Sequence, residues 1–354
     1  MTETSRLDQI DGLRTVAIFW VAMYHFAVFW SPAGAGLNLL AYGTALAQIP
    51  LASVGFLGVH LFFIVSGFVI ALSLQRSAGV AQFLQLRAIR LWPTLIICGT
   101  ITLIVVNTVG PVSLMRGPLE YLVSLTFFPP SYVGRVIGSN ELEWLDGAYW
   151  SLWTEIRFYV VAGFLFFISR QRFVLSWSLF AAVSAIIHLT GVVQGGAIEE
   201  VSRLMFAEYQ PYFSVGIAIA AIRGRSIQFL PMALLCVGII LSFAYPWIAQ
   251  SGFAPSEFIG LVIVFALALP VMLTQRRVPV LSSPVMVSLG AASYAYYLLH
   301  QNVGLSILGY IAPKNDLLAI GAMILVQAGL LVLAVLITRK IEEPIRRSLR
   351  KRIL

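Results

Sequence analysis

Ten apolar segments, each about as long as a membrane-spanning helix, alternate with short polar stretches along the chain. A helix needs ~20 mostly apolar residues to cross the ~30 Å hydrocarbon core of a bilayer. The predicted spans are 13–31, 51–74, 91–109, 148–168, 173–193, 204–222, 227–249, 256–274, 284–311 and 316–338. The apolar stretch 112–130 is short and contains Pro118, Pro129 and Pro130, so we interpret it as interfacial or re-entrant. The pattern therefore predicts an all-α integral membrane protein, with residues 1–354 as a single membrane domain.

Basic residues mark one side of these predicted spans. With the N-terminus in the cytoplasm, 18 of the 23 Lys and Arg residues fall in inner segments and four in outer segments, while Arg157 falls within a span. Cytoplasmic loops of membrane proteins carry such an excess of positive charge. The distribution supports ten spans with both termini cytoplasmic, because a miscount by one span would scramble the alternation beyond it.

The composition agrees with this class and excludes others. The chain is 59% hydrophobic and 11% charged, whereas an average soluble domain is about 45–50% apolar and about 25% charged. These values also exclude intrinsic disorder, and two cysteines, Cys98 and Cys236, are too few for a disulfide scaffold. The net charge of +8 follows from the inner segments, so no nucleic-acid partner is expected. Neither a cleavable signal peptide nor an appended soluble domain is expected.

Four ionisable side chains lie at similar predicted depths within the apolar segments. At ~1.5 Å of rise per residue, they all fall in the outer half of the bilayer, in a layer ~8 Å deep. They are His25, His60, Glu155 and His300. Titratable groups inside a membrane are costly and commonly mark functional sites. His188 has no polar company in its own segment, and we expect a structural role for it.

The spacing of Arg14 and His25 is more specific. Eleven helical steps of ~100° make three turns plus ~20°, so the two side chains share a face and lie ~16 Å apart along the helix axis. The arginine lies at the cytoplasmic mouth and the histidine near the middle of the bilayer. This geometry suits a ligand with an anionic head at the mouth and a reactive end that reaches inward. The alternative is that Arg14 only anchors its helix at the headgroups.

A second pair of arginines, Arg87 and Arg90, begins the third predicted span. Their i, i+3 spacing places both guanidinium groups on one helical face, where they are able to bind phosphate through paired hydrogen bonds. Anchoring at the cytoplasmic headgroups explains the same spacing. On spacing alone, anchoring is the favoured interpretation.

Six motifs in order along the chain resemble those of the acyltransferase-3 family of membrane acyltransferases. They are LDQIDGLRTVAIFWVAMYHF (Leu7–Phe26), GVHLFFIVSGFVI (Gly58–Ile70), FLQLRAIRLWP (Phe83–Pro93), YWSLWTEIRFY (Tyr149–Tyr159), LGAASYAYYLLH (Leu289–His300) and IEEPIR (Ile341–Arg346). The first resembles the family's opening, an arginine, ten intervening residues and a histidine. His60 departs from the family pattern, because many members carry aspartate just before the paired phenylalanines.

The resemblance implies acyl transfer across a membrane. Members of the family take an acyl group, most often acetyl, from cytoplasmic acyl-coenzyme A. They deliver it to a hydroxyl of a glycan or another acceptor, commonly on the extracytoplasmic side. We therefore expect acyl-coenzyme A as co-substrate, with acetyl-coenzyme A as the first choice, and no metal.

The same resemblance sets the expected partners and location. The partners are the acyl-coenzyme A donor, a hydroxyl acceptor such as a cell-surface polysaccharide, and membrane lipids, while a homo-oligomer is left open. The chain resembles the stand-alone form of the family, without the fused esterase-like domain of some members. We expect a multi-pass protein of the bacterial inner (cytoplasmic) membrane.

With the family in view, His25 and Glu155 are the expected catalytic residues. Acyl transfer to a hydroxyl needs a base, and His25 is expected to accept the hydroxyl proton or, alternatively, to carry the acyl group itself. Glu155 is expected to orient His25 and fix its tautomer, or to contact the acceptor. An ion pair within the membrane is the structural alternative for Glu155.

The binding residues follow from the remaining motifs. At the donor site, Arg14, Arg87 and Arg90 are expected to hold the coenzyme A phosphates. Ser66 and Gly67 are expected beside the pantetheine, with helix packing as their alternative. The acceptor side is expected to contain His60, Tyr159, Tyr294, Tyr297 and His300, although tyrosines are also common at membrane interfaces without such a role.

Two other functions stay open. A proton-coupled transporter would use buried His, Glu and Arg as a relay, but the chain shows no internal repeat of the kind found in many transporters. Within the enzyme class, a macrolide or a lipid-linked small molecule would replace the polysaccharide as acceptor.

Overall fold

Helices make up most of the residues that the computed structural model of the chain describes, which are 3–31, 47–139, 142–223, 228–249, 254–274, 277–313 and 315–351. No β-strand occurs in these ranges. In chain order the helices are α1 (Glu3–Tyr24), α2 (Pro50–Ser53), α3 (Gly58–Gln75), α4 (Val80–Thr108), α5 (Pro118–Leu125), α6 (Pro130–Ile137), α7 (Trp150–Ile168), α8 (Phe173–Gln194), α9 (Gly196–Leu204), α10 (Gln210–Ile222), α11 (Phe229–Ala249), α12 (Pro255–Leu273), α13 (Pro284–Ala291), α14 (Ser293–Leu299), α15 (Asn302–Ile311), α16 (Asp316–Ile337) and α17 (Glu343–Arg350).

Eight helical segments in the described part of the chain are long and apolar enough to cross a membrane. They are Asp8–Phe29, Gly55–Gln75, Val80–Thr108, Gly147–Ile168, Arg170–Val192, Phe229–Ile248, Pro255–Leu273 and Asp316–Arg350. The predicted all-α membrane class is therefore confirmed. The count of ten spans and the cytoplasmic position of both termini stay predictions.

Two of the predicted spans are divided into shorter helices. The predicted span 204–222 contains the end of α9, a turn in which Phe206 has a φ of 45°, and the 13-residue helix α10. The predicted span 284–311 contains α13, α14 and α15. Hydropathy over a long window did not reveal these breaks, because the few polar residues at them, such as Glu208 and Gln301, stand within otherwise apolar segments.

The chain folds into two compact units, with boundaries inside α1, α4 and α7. Unit 1 comprises Met1–Ala17, Leu57–Gln85 and Thr154–Ser282. Unit 2 comprises Ile18–Phe56, Leu86–Trp153 and Ser283–Leu354.

Within unit 1, helices α3 and α10 approach each other closely through glycines. A Cβ atom at Gly67 would overlap the carbonyl oxygen of Phe213, and one at Gly216 would overlap that of Ile64. Small residues at such positions let helix backbones come into contact, which is a common mode of packing between membrane helices.

Within unit 2, a small apolar core forms where α1 ends. The chain continues from α1 into a π-helical turn, His25–Phe29. The buried cluster contains Phe26, Trp30, Leu114, Leu305, Leu308 and Ala319. These contacts pack the π turn against α15 and α16 and so fix the position of His25.

Candidate active site

Two histidines, His25 and His300, lie side by side in unit 2. Nδ1 of His25 is 2.9 Å from Nε2 of His300, and the two rings stack with their centroids 5.1 Å apart and an interplanar angle of 15°. His300 is fully buried, and its Nδ1 is 2.8 Å from the carbonyl oxygen of Tyr297. The structure thus brings together two residues that are 275 positions apart in the sequence.

The hydrogen bonds of this pair determine where the protons lie. A carbonyl oxygen only accepts, so Nδ1 of His300 carries a proton and donates it to Tyr297. Neutral His300 then presents a bare Nε2, which accepts a hydrogen bond from Nδ1–H of His25. Neutral His25 is therefore left with a lone pair on Nε2, which has no partner among the described residues. A histidine in this tautomer is suited to act as a base or as a nucleophile through Nε2.

His25 is positioned by the π-helical turn that it opens. The backbone N–H of Trp30 donates to the carbonyl of His25 at 3.0 Å, which is the i+5 to i bond of a π turn. At the end of the turn the hydroxyl of Ser31 donates to the carbonyl of Val28 at 2.9 Å. Single π turns within α-helices are rare and frequently occur at functional sites.

His300 is positioned by a break between α14 and α15 that depends on Asp146. This fully buried carboxylate accepts from the backbone N–H of Asn302 at 2.8 Å and from that of Ala148 at 2.9 Å. The side chain of Asp146 therefore connects the first residue of α15 to the turn that leads into α7. Helix N-termini favour negative charge, so both ends stabilise this carboxylate.

Burial nevertheless raises the pKa of Asp146 to about 7, because the charged form loses hydration. The N–H groups of Asn302 and Ala148 and the charge of Arg116 act in the opposite direction. Sequence reasoning missed Asp146. The Asp-Gly pair before α7 is a recognisable helix-cap signal, but the second partner, Asn302, is not recognisable from local sequence.

Tyr297 belongs to the same network as the histidine pair. Its hydroxyl donates to the carbonyl of Ala148 at 2.6 Å and lies 2.8 Å from the hydroxyl of Ser151. Tyr294, on the same helix, donates to the carbonyl of Leu91 at 3.3 Å. Both tyrosines are predicted acceptor residues. Tyr297 contacts the histidine pair directly, because its carbonyl accepts the hydrogen bond of His300, whereas Tyr294 connects α14 to α4.

Glu155 has its own cluster in unit 1. Its Oε1 accepts from the hydroxyl of Ser66 at 2.6 Å and from that of Tyr159 at 2.5 Å. The structure thus joins three of the predicted site residues around one carboxylate oxygen. The expected contact of Glu155 with His25 or with an acceptor stays a prediction. Arg157 donates to the carbonyls of Arg203 and Leu204 at the end of α9.

The predicted donor residues lie on two helices. Arg14 on α1 pairs with Asp11 at 2.7 Å, which holds its guanidinium in place. Arg87 and Arg90 lie well inside α4, which begins at Val80 rather than at the predicted residue 91. The charge of Arg90 acts on the buried carboxylate of Glu342.

Gly67 and His60 have contacts that are explained by packing. The backbone of Phe213 lies directly against Gly67, so helix packing accounts for this glycine, and the expected pantetheine contact stays a prediction. The ring of His60 packs edge-on against Tyr212, with centroids 4.4 Å apart.

His188 has a polar neighbour on a different helix, because Ser202 of α9 lies 3.0 Å from its Nδ1.

Comparison with known proteins identifies the family. A family model described as an acyltransferase domain, of the acyltransferase-3 type, matches residues 7–339. No curated protein and no solved structure matches the chain. The family match covers both histidines, Glu155 and the three donor-side arginines. The chain therefore belongs to the acyltransferase-3 family and is a multi-pass membrane acyltransferase.

Proposed function

We propose that the protein transfers an acyl group, with acetyl as the first choice, from cytoplasmic acyl-coenzyme A to a hydroxyl group of a cell-surface glycan. The observation that carries the proposal is the His25–His300 pair, whose hydrogen bonds leave the lone pair on Nε2 of His25. This is the atom that acyl transfer to an alcohol requires, as base or as nucleophile. The family match supports the reaction class.

In the base mechanism, Nε2 of His25 takes the proton of the acceptor hydroxyl as its oxygen attacks the thioester carbonyl. The C–S bond then breaks, the ester forms, and the proton passes from His25 to the leaving thiolate of coenzyme A. Throughout, Nδ1–H of His25 stays hydrogen-bonded to Nε2 of His300, which keeps the ring oriented. If His25 is acylated first, Nε2 attacks the thioester carbonyl, the C–S bond breaks and coenzyme A leaves as its thiolate. The acceptor hydroxyl then takes the acyl group from Nε2, and its proton passes to the thiolate, so both routes use one tautomer.

Arg14 supports a donor site at the cytoplasmic end of α1. It lies on the same helix that leads into His25, three turns earlier, and its guanidinium is fixed by Asp11. Arginine binds phosphate through paired, charge-assisted hydrogen bonds. A coenzyme A phosphate at Arg14 and a thioester near His25 match this arrangement, and they favour a protein of the bacterial inner membrane, where acyl-coenzyme A is cytoplasmic.

Titration of the purified protein with acetyl-coenzyme A tests the donor site. We expect Arg14→Ala to raise the Kd by about 10- to 100-fold, since a charge-assisted hydrogen bond contributes ~1.5–3 kcal/mol. Arg172→Ala, which removes an exposed arginine of the turn before α8, is the matched control and should bind as the wild type does. Unchanged donor affinity in Arg14→Ala contradicts the phosphate role.

A further inference from the structure

A cavity of about 480 Å³ lies in unit 2, the unit that also contains the histidine pair. Its wall includes Trp30, Trp144, Glu143, Gln301 and Gly147. Trp30 closes the π turn that begins at His25, and Gln301 directly follows His300. Two wall residues are therefore close to the histidines along the chain, Gln301 by one residue and Trp30 by five residues, or ~7.5 Å of helical rise. The volume is in the range of ~300–1,000 Å³ that is typical of small-ligand sites.

Arg116 stabilises one side of this cavity through its hydrogen bonds. Its Nε donates to the carbonyl of Trp144 at 3.0 Å, one terminal nitrogen donates to the carbonyls of Ser113 and Met115, and the other pairs with the carboxylate of Glu143. These bonds hold Trp144 and Glu143 in place, so this side of the cavity is ordered before any ligand binds.

The wall combines flat aromatic surfaces with hydrogen-bonding groups. The indoles of Trp30 and Trp144 offer apolar faces, and the Nε1–H of Trp30 is buried without an acceptor among the described residues. Glu143 is 66% exposed at its side chain, whereas the amide of Gln301 is almost completely buried. A purely apolar ligand would strip water from these polar groups without replacing their hydrogen bonds, which is costly.

We infer that this cavity binds the hydroxyl acceptor as a sugar ring, packed against an indole and hydrogen-bonded to Gln301 and Glu143. A sugar ring has an apolar C–H face and a rim of hydroxyls, which match an indole and the two polar side chains. The inference rests on the proposed function, since it assigns the acceptor subsite of the same reaction. The acceptor residues predicted from the motifs are not among the residues that line this cavity, although His300 directly precedes Gln301 in the sequence.

Binding of radiolabelled maltotriose and chitotriose to the purified full-length protein tests this inference without requiring turnover. Labelled 1-octanol is the comparison, as a hydroxyl compound without a sugar ring. We expect at least one sugar to bind, and Gly147→Ala to weaken its binding about tenfold, because the added Cβ would lie 2.9 Å from Nε2 of Gln301. Gly309→Ala is the matched control, since no described atom lies within 4 Å of its added Cβ.

Glu143→Gln is a second test that does not disturb the core, with Glu257→Gln at the start of α12 as its control. The inference is overturned if neither sugar binds, if only 1-octanol binds, or if Gly147→Ala and Glu143→Gln both bind the sugar as their controls do. Failure of the proposed function is a separate result. In that case sugar binding responds to the cavity variants, but no coenzyme A is released from acetyl-coenzyme A.

Discussion

The proton on His300 is fixed by a backbone carbonyl, and this single bond sets the state of His25. The carbonyl of Tyr297 requires a proton on Nδ1 of His300, which leaves Nε2 as an acceptor for His25. A second side chain that fixes the tautomer of a catalytic histidine is usually a carboxylate. Here the structure has another imidazole in that position, so we propose that His300 positions His25 in addition to its expected place on the acceptor side.

Substitution of His300 tests this role. His300→Gln keeps an oxygen that is able to accept from Nδ1–H of His25, whereas His300→Leu removes the acceptor. We expect His300→Leu to lower kcat by about 100-fold or more, within the range of ~10²–10⁴ for loss of acid–base catalysis, and His300→Gln to retain much more activity. The measurement is kcat and KM for acyl transfer in both variants. Equal losses in the two variants contradict the positioning role.

At this scale the sequence singles out individual residues but does not reveal their contacts. His25, Glu155 and His300 stand out as rare titratable groups in apolar segments. Their partners come from distant parts of the chain, however, such as Ser66 for Glu155, 89 positions away. Hydropathy and motif spacing carry no information about such pairs.

Glycines determine how two helices of unit 1 pack. Because the carbonyl of Phe213 fills the space beside Gly67, we expect Gly67→Ala to lower the melting temperature of the purified protein by several degrees. Gly329→Ala on α16 is the matched control, where no described atom lies within 4 Å of an added Cβ. Alanine is the better helix former, so this control should be neutral or slightly stabilising. A similar melting temperature for both variants contradicts the close packing of α3 and α10.

Asp146, which holds the break between α14 and α15, makes the stability of the folded protein depend on pH. Its pKa is raised by burial from 3.8 to about 7, so between these values the folded protein holds a proton that the unfolded chain releases. The contribution of Asp146 to the free energy of unfolding is therefore largest below pH ~4. It falls as the pH rises to ~7, by on the order of 4 kcal/mol at ~1.4 kcal/mol per pH unit.

The melting temperature as a function of pH tests this dependence. Asp146→Asn removes the titration, so the wild type should lose stability relative to the variant as the pH rises from 5 to 8. Parallel curves for the two proteins contradict the raised pKa. The variant should also lose activity, because the carboxylate holds the start of α15 directly after His300 and Gln301.

The elements themselves were largely predictable, whereas their interruptions were not. Apolar runs of about 20 residues predict membrane helices because the bilayer core sets their length. The π turn at His25 packs against α15 and α16, and the break at His300 is held by the long-range hydrogen bond of Asp146 to Asn302. Both interruptions occur at the candidate active site, where local sequence preferences yield to function.

On the scale of the whole molecule, the distribution of charge predicts the orientation in the membrane. The excess of basic residues on one side predicts a cytoplasmic position for Arg172 and an external position for Arg135, and both side chains are exposed. The test is labelling of intact cells with a membrane-impermeant maleimide, in a chain without Cys98 and Cys236. Arg135→Cys should be labelled and Arg172→Cys should not. The reverse pattern contradicts the predicted topology.

The most direct test of the account is the release of coenzyme A from acetyl-coenzyme A by the purified protein in detergent, with glycan acceptor present. We expect His25→Ala to abolish release above the uncatalysed rate. The matched control is His188→Ala, which removes a histidine that lies against Ser202 and Tyr245, away from the His25–His300 pair along the chain, and it should remain active. Full activity in His25→Ala contradicts the central claim that Nε2 of His25 performs the acyl transfer.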